Sequence, residues 1–154
     1  MTAERMWQGF TAARGPAEAD YEAWAFGGEP DKLAGLVLAG IKTATASAYP
    51  LYGLEGEPLP EAGEYSVILD SQSEAVCVIL TDRVTVVPYG DVGPDHARRE
   101  GEGDRSLACW RQVHEAFFRR EMAAAGLAFT EDMPVVCEEF HVVWPETERG
   151  ESDA

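Results

Sequence analysis

Strand-forming segments are concentrated in the middle of this 154-residue chain, and they restrict the folds that it can adopt. Three runs rich in Val, Ile and Thr follow one another closely: EYSVILD (64–70), AVCVILT (75–81) and RVTVVPY (83–89). Such runs are typical of β-strands. The polar SQSE segment predicts a hairpin between the first two, and Thr81-Asp82 allows a second turn. The middle of the chain is therefore predicted to form a sheet.

Helical patterns precede these strands. Residues 4–14 and 17–25 are predicted as short helices, the second beginning after Pro16. A third helix is predicted for PDKLAGLVLAG (30–40), because its apolar residues recur at helical spacing and a glycine suits its C-cap. A polar loop is predicted from 49 to 63.

Further helical segments and a strand follow the predicted sheet. After a helical turn that follows GDVGPDH, a long helix is predicted over 105–125, with Asp104 as its N-cap and Gly126 as its stop. The run PVVCEEFHVVW (134–144) predicts a last strand. These patterns together predict an α+β fold whose strands curl into a small barrel.

The sequence shows neither an internal repeat nor a linker, so we expect a single domain over 1–144 and a disordered charged tail over 145–154. No basic region followed by an apolar stretch is visible at the N-terminus, and no apolar run is long enough to span a bilayer. Three widely spaced cysteines form no zinc-binding pattern and fit a reducing compartment. We expect a soluble cytoplasmic protein with no metal and no cofactor.

Acidic residues dominate the charge. The chain has 28 Asp and Glu against 12 Lys and Arg, which gives a net charge of −16. Such a chain should repel nucleic acid and anionic membranes, so we expect no DNA and no membrane partner, whereas a small neutral ligand is unaffected. Six of the ten arginines lie within 98–120, where they offset neighbouring acids or contact a phosphate.

The segment LAGIKTATASAYP (38–50) contains Lys42, one of only two lysines in the chain. Two interpretations are open: a solvated lysine favoured by a helix dipole, or a reactive amine set beside Thr43, Thr45 and Ser47. Residues three apart share a face in a turn but not in a strand. A Lys42–Thr45 pair therefore requires that the strand not begin before about Thr43.

A second candidate segment is EGEGD (100–104), in which Glu100, Glu102 and Asp104 alternate with glycines. It is either a solvated loop leading into a helix, or a carboxylate site whose glycines let the backbone approach a ligand. A carboxylate here could bind a base edge or handle a proton. The ligand series of a calcium-binding EF-hand is missing.

Aromatic residues and histidines give weaker signals. Trp24 and Phe26 are either core residues or a ligand platform, and the three histidines show no metal-binding spacing. The remaining aromatics considered are assigned to packing: Trp7, Trp110, Phe117, Phe118 and Trp144.

Five motifs follow one another along the chain: W-x-F-G (24–27), G-x-K-T-A-T-A-S (40–47), E-G-E-G-D-x-S-L-x-x-W (100–110), H-x-x-F-F (114–118) and V-V-C-E-E-F (135–140). In these motifs the chain resembles the larger bacterial branch of the ASCH domain family, over about residues 5–144. The resemblance implies a PUA-like β-barrel of about five to six strands flanked by helices, with a cleft beside the glycine-lysine motif. It also implies that the substrate is RNA or a nucleoside.

Small bacterial relatives are amidohydrolases that remove the acetyl group from N4-acetylcytidine with a Lys, a Thr and a Glu. Carried over by motif, these catalytic residues are Lys42, Thr45 and Glu100. Other members of the larger branch are ribonucleases that need the same lysine. Many relatives carry Arg where this chain has Ser47, and the inserted EGEGD loop leaves Glu102 as the alternative to Glu100.

The family resemblance and the residues predict a substrate-binding set and three functions. The binding set consists of Trp24, Phe26, Thr43, Ser47, Glu102, Arg99 and Ser106. The functions are hydrolysis of N4-acylated cytidine or cytosine nucleosides, cleavage of single-stranded RNA, and binding of RNA or a modified base without turnover. The partner is accordingly a small nucleoside or single-stranded RNA.

Hydrolysis by a Thr45 nucleophile requires a base, and two schemes are open. Lys42 accepts the hydroxyl proton if burial keeps it neutral, although a nearby Glu100 would favour the ammonium form. Alternatively, Lys42 stays charged and stabilises the oxyanion while Glu100 is the base.

Overall fold

The computed structural model describes residues 1–16 and 18–145 and has an α+β architecture, as predicted. The predicted tail, apart from residue 145, lies outside the described residues, and so does residue 17. The elements are α1 (Ala3–Arg14), β1 (Tyr21–Ala25), α2 (Pro30–Leu38), β2 (Ala44–Ala48), α3 (Tyr49–Glu55), β3 (Tyr65–Leu69), β4 (Ala75–Pro88), α4 (Pro94–Glu100), α5 (Leu107–Ala124) and β5 (Pro134–Trp144). Among the described residues, no helix is long and apolar enough to cross a bilayer.

The strands form one five-stranded sheet with the order β1-β3-β4-β5-β2. β1 runs parallel to β3, and β3 runs antiparallel to β4 through the predicted SQSE hairpin. β2 pairs antiparallel with β5, with Thr45 opposite Glu138 and Ser47 opposite Val136. The chain divides into two compact units, which are described separately.

Unit 1 comprises the described residues of 1–41, 62–82 and 140–145. Two apolar clusters form its core. In the first, α2 packs Leu33, Ala34 and Val37 with strand residues such as Ile68. In the second, α1 places its apolar stripe of Met6, Trp7 and Phe10 against Val67 and Val78. The i, i+3 and i, i+4 spacing within both helices is what directs these side chains to one face.

Unit 2 comprises residues 42–61 and 83–139. Its core is built around α5, whose buried stripe at intervals of four residues is Trp110, His114, Phe118 and Met122. The inner faces of β2 and β5 complete this core with Ala46, Ala48, Val135 and Cys137. Side chains alternate along a strand, so Thr45 and Ser47 are carried on the opposite face of β2.

The prediction of a helix over 17–25 is wrong, because residues 21–25 form β1. Tyr21 stacks on Trp7 with 4.8 Å between ring centroids, and the segment pairs in register with β3. Tertiary pairing of an aromatic-rich segment therefore overrides its weak helical pattern.

The predicted second turn at Thr81-Asp82 is also wrong, since β4 runs through it without a break. Thr81 is buried, its amide donates to the carbonyl oxygen of Glu64, and its own carbonyl accepts from Gly63. These bonds extend the ladder beyond β3. A turn would leave those backbone groups without partners, which is costly for buried groups.

Two boundary predictions also need correction. The predicted loop at 49–63 begins with α3, for which Pro50 near the start and Gly56 at φ 69° after the end are the sequence signals. The N-cap of the long helix is Ser106, whose hydroxyl accepts from the Cys109 amide, while Asp104, two residues earlier, accepts from the Ser106 amide. Predicted helices over 4–14 and 30–40 and the strand over 134–144 are confirmed.

Candidate active site

Lys42 lies in unit 2, just before β2, and its side chain is only 1% exposed. The next residue fixes this position, because the Thr43 amide donates to the Arg99 carbonyl oxygen of α4 at 2.7 Å. β2 begins at Ala44, consistent with the turn geometry that a Lys42–Thr45 pair requires. Lys42 is therefore a buried amine and not a solvated side chain.

Two carboxylates hold the amine. Lys42 Nζ donates to Glu100 Oε1 at 3.1 Å and to Glu102 Oε2 at 3.1 Å. Glu100 is the last residue of α4 and is 1% exposed, whereas the Glu102 side chain is 22% exposed. The pair thus consists of one fully buried and one accessible carboxylate.

Donors surround both oxygens of Glu100. Oε1 faces Lys42 Nζ and, at 3.2 Å, His114 Nε2. Oε2 accepts from Trp110 Nε1 at 2.7 Å and faces His96 Nε2 at 2.7 Å. A carboxylate with this many partners is satisfied only as the anion, because an ionised carboxylate accepts and does not donate.

His114 carries protons on both ring nitrogens in this arrangement. Nδ1 lies 2.9 Å from the carbonyl oxygen of Trp110, which can only accept. Nε2 faces the carboxylate of Glu100, which as an anion also only accepts. The ring is therefore an imidazolium, and the buried cluster contains the cations Lys42 and His114 and the anions Glu100 and Glu102.

Burial and neighbouring charges shift the pKa values of Glu100 and His114 in opposite directions. Burial would raise the pKa of Glu100, but the charge of Lys42 and the hydrogen bonds from His114 and His96 outweigh it, and the pKa lies well below its usual range. Burial would likewise lower the pKa of His114, but the hydrogen bond to Glu100 and the charge of that carboxylate raise it. Both groups are thus held in their charged forms.

Glu100, Glu102 and His114 also offer three potential metal-ligand atoms within 4.8 Å of one another. The residues present do not fit a metal ion well. The Lys42 ammonium already lies between the two carboxylates, and the His114 nitrogen that faces them carries a proton. A protonated nitrogen has no lone pair for a metal.

The predicted substrate-binding residues fall into two groups. In unit 2, Thr43 lies beside Lys42 and its hydroxyl donates to the Arg99 carbonyl oxygen at 3.4 Å. Ser47, where many relatives carry Arg, lies 2.7 Å from the hydroxyl of Tyr52. The Arg99 guanidinium binds Asp95 at 2.9 Å and lies 3.7 Å from Glu139.

Ser106 caps α5, which gives it a structural role. Trp24 and Phe26 belong to unit 1, where Phe26 is buried, Trp24 packs against the same apolar cluster, and the two rings meet edge to face at 4.8 Å. Their roles in binding a base, and that of Ser106, stay predictions.

Sequence reasoning missed three members of the cluster, His96, Trp110 and His114. The histidines show no metal-binding spacing in the sequence, and Trp110 was assigned to packing. The signal was present in the spacing, because His96 and Glu100 are four apart on α4 and Trp110 and His114 are four apart on α5.

Thiol chemistry is not available from the two buried cysteines. Burial raises the pKa of Cys77 and of Cys137 to about 12, so neither supplies a thiolate at neutral pH.

The fold and the cluster together define a PUA-like α+β protein with a buried lysine held between carboxylates. The family model of the ASCH domain matches residues 22–144, and the chain belongs to the ASCH domain family.

Solved structures agree with this assignment. The crystal structure of an ASCH domain from Lactobacillus crispatus JV V101 has a TM-score of 0.86 and 31% identity, and the match covers 91% of this chain and 92% of that chain. The crystal structure of a protein from Enterococcus faecalis V583 has a TM-score of 0.84 and 36% identity, and the match covers 98% of this chain and 93% of that chain. The structure of the hypothetical protein PH0355 has a TM-score of 0.53 and 13% identity, and the match covers 80% of this chain and 98% of that chain. It shows a similar fold and nothing more. Among curated proteins, none matches the chain.

Proposed function

We propose that this protein hydrolyses the N4-acyl amide of acylated cytidine or cytosine nucleosides. The observation that carries the proposal is the buried Lys42, bound at 3.1 Å by each of two carboxylates, Glu100 and Glu102. A lysine that is removed from water and oriented by fixed partners is suited to proton transfer, which the always-charged Arg cannot perform. Membership of the ASCH domain family supports a nucleoside as the substrate class.

In the proposed reaction, Lys42 first gives its own proton to a neighbouring carboxylate, and the neutral amine accepts the hydroxyl proton as the Thr45 oxygen attacks the acyl carbonyl. The bond between the carbonyl carbon and N4 breaks, and N4 takes up the proton that Lys42 has accepted and leaves as the amino group of cytidine. Water then hydrolyses the acyl ester of Thr45, which releases a carboxylic acid and restores the hydroxyl. Glu100 holds the lysine in place throughout.

Charge favours a small neutral substrate over an RNA chain. The net charge of −16 repels a polyanion at long range. The arginines of α4 are engaged by acids, since Arg98 and Arg99 both bind Asp95 and Arg99 also lies near Glu139. Three free thiols fit a cytoplasmic location, where thiols are kept reduced.

The test is a turnover assay with N4-acetylcytidine, in which released cytidine and acetate are measured. Lys42→Arg should lower kcat by about 10²–10⁴-fold, the usual contribution of a general base. Thr45→Val removes the nucleophile and should lower kcat at least as much. Because members of a catalytic unit are not additive, the double variant should be little worse than either single one. Circular dichroism checks that each variant is folded.

Two controls sharpen the assay. Lys32→Arg changes the other lysine, which is 59% exposed, and should leave turnover unchanged. Thr45→Ser keeps a hydroxyl and should retain measurable turnover, whereas full activity in Thr45→Val would rule out the nucleophile. Labelled single-stranded RNA is incubated in parallel: cleavage that requires Lys42 would instead indicate a ribonuclease, and binding without any turnover a binding module.

A further inference from the structure

The two carboxylates that hold Lys42 differ in their surroundings, and this difference assigns them different roles. Glu100 faces four donor groups, from Lys42, His96, Trp110 and His114. Among the described residues, the Glu102 side chain has a single hydrogen-bond partner, Lys42 Nζ on Oε2, and 22% of it is exposed.

A proton added to Glu100 would disrupt the bonds that surround it. The Trp110 N–H can only donate, and both nitrogens of His114 are already protonated, so an O–H on Glu100 would oppose existing donors. Glu102 has no such restriction, because its Oε1 has no hydrogen-bond partner in the described part of the chain.

The charges that remain after a proton transfer lead to the same choice. If Lys42 gives its proton to Glu102, both become neutral and the remaining ion pair, His114 and Glu100, stays in contact at 3.2 Å. If Lys42 gives its proton to Glu100, the buried His114 imidazolium loses the carboxylate at 3.2 Å and keeps only that of Glu102, which lies within 4.8 Å. Neutralising the nearest counter-ion of a buried charge is unfavourable.

We propose that Glu102 is the carboxylate that exchanges a proton with Lys42, and that Glu100 is a positioning residue that stays ionised. This assignment rests on the proposed function. The proton moves along the 3.1 Å bond from Lys42 Nζ to Glu102 Oε2 and leaves a neutral amine and a carboxylic acid. The neutral amine then accepts the Thr45 proton. A substrate that excludes water from Glu102 favours this step, because an ion pair in a low dielectric converts more readily to a neutral pair.

The first arm of the test needs no turnover. Glutamate is labelled with ¹³C at the carboxyl carbon, the signals are assigned with Glu100→Gln and Glu102→Gln, and wild type is acidified. The Glu100 signal should stay at its ionised position while other glutamate signals shift, and ¹⁵N spectra should show two protonated nitrogens on His114 at neutral pH. A Glu100 signal that shifts first, or a His114 ring with one bare nitrogen, would overturn the assignment.

The second arm uses N4-acetylcytidine. Glu102→Gln keeps an acceptor for Lys42 but cannot take its proton, so kcat should fall by about 10²-fold or more while KM changes little. Glu102→Asp keeps the carboxylate and should recover part of the rate. Wild-type kcat in Glu102→Gln would overturn the assignment. If the wild type itself turns over no acylcytidine, the proposed function fails, and the NMR arm still decides the protonation order.

Discussion

His114 donates through Nδ1 to the carbonyl oxygen of Trp110 at 2.9 Å, and its ring stacks on the indole of the same residue at 4.3 Å. These two contacts fix the rotation of the ring, so Nε2 must face Glu100. Trp110 in turn donates its own N–H to Glu100. One turn of α5 thereby supplies two of the donors that keep this carboxylate ionised.

Removing the cation from the cluster should be costly. Lys42→Met leaves two neighbouring carboxylates without their shared partner, and loss of one member of a buried ion pair costs about 3–5 kcal/mol of unfolding free energy. Urea denaturation at neutral pH measures this. Lys32→Met is the matched control and should change stability by less than about 0.5 kcal/mol, since Lys32 is exposed. Equal effects at the two lysines would contradict the buried cluster.

The contribution of His114 to stability should depend on pH. Its folded-state pKa is raised above the ordinary value of 6.5, so its stabilisation is complete below that value and is lost as the pH rises through the folded-state pKa. The charged groups facing it are Glu100 and Glu102, with Lys42 beyond them. Thermal unfolding should therefore show that His114→Phe is destabilised most, relative to wild type, in mildly acid solution and less in alkaline solution.

The control for that series is His141→Phe. His141 is 53% exposed and binds Asp82 at the surface, where solvent screens the pair. The loss of stability in His141→Phe should be small at every pH. A deficit for His114→Phe that grows with pH would show that the ring is neutral in the folded protein.

The indole N–H of Trp110 can be tested separately from its ring. Trp110→Phe retains an aromatic ring but removes the 2.7 Å bond to Glu100, and hydrogen bonds to charged groups contribute about 1.5–3 kcal/mol. Trp7→Phe makes the same reduction in ring size at another buried tryptophan, for which no indole hydrogen bond is described. Chemical denaturation should show a larger loss of unfolding free energy for Trp110→Phe than for Trp7→Phe, and the difference between the two losses reports the hydrogen bond. A difference near zero would contradict the bond.

A methyl group at Gly103 should displace the loop that carries Glu102. Gly103 has φ 59°, and an added Cβ would overlap the Sγ of Cys109, so Gly103→Ala should cost about 1–3 kcal/mol from backbone strain, with the overlap in addition. Gly35→Ala, on α2 with nothing within 4 Å of the added carbon, should instead stabilise by about 0.4–1 kcal/mol. Both are measured by thermal denaturation. A neutral Gly103→Ala would mean that the loop relaxes freely.

Local patterns predicted those parts of the fold that local interactions determine. The helices over 4–14 and 30–40 carry apolar stripes in their own sequence, and the strand over 134–144 is rich in valine and aromatic residues. Residues 21–25 were mispredicted because a five-residue strand depends on its partner, β3, which lies more than forty residues further along the chain. Propensity carries little information at that length.

The candidate site divides in the same way. The spacing of Glu100 from His96, and of His114 from Trp110, places each pair on one helix face and could have been predicted. The contact of Lys42 with Glu100 joins residues that are 58 positions apart, and only the family resemblance had named the two together. No periodicity in one sequence encodes such a contact, because tertiary packing sets it.

The burial of Lys42 also makes the protein a simple target for amine chemistry. In the folded chain, an acylating reagent meets two exposed amines, the N-terminus at 56% and Lys32 at 59%, while Lys42 at 1% is protected. A third acyl group can be added only when the cluster opens. The mass of the labelled protein over time would therefore count the openings of this one site, without any mutation.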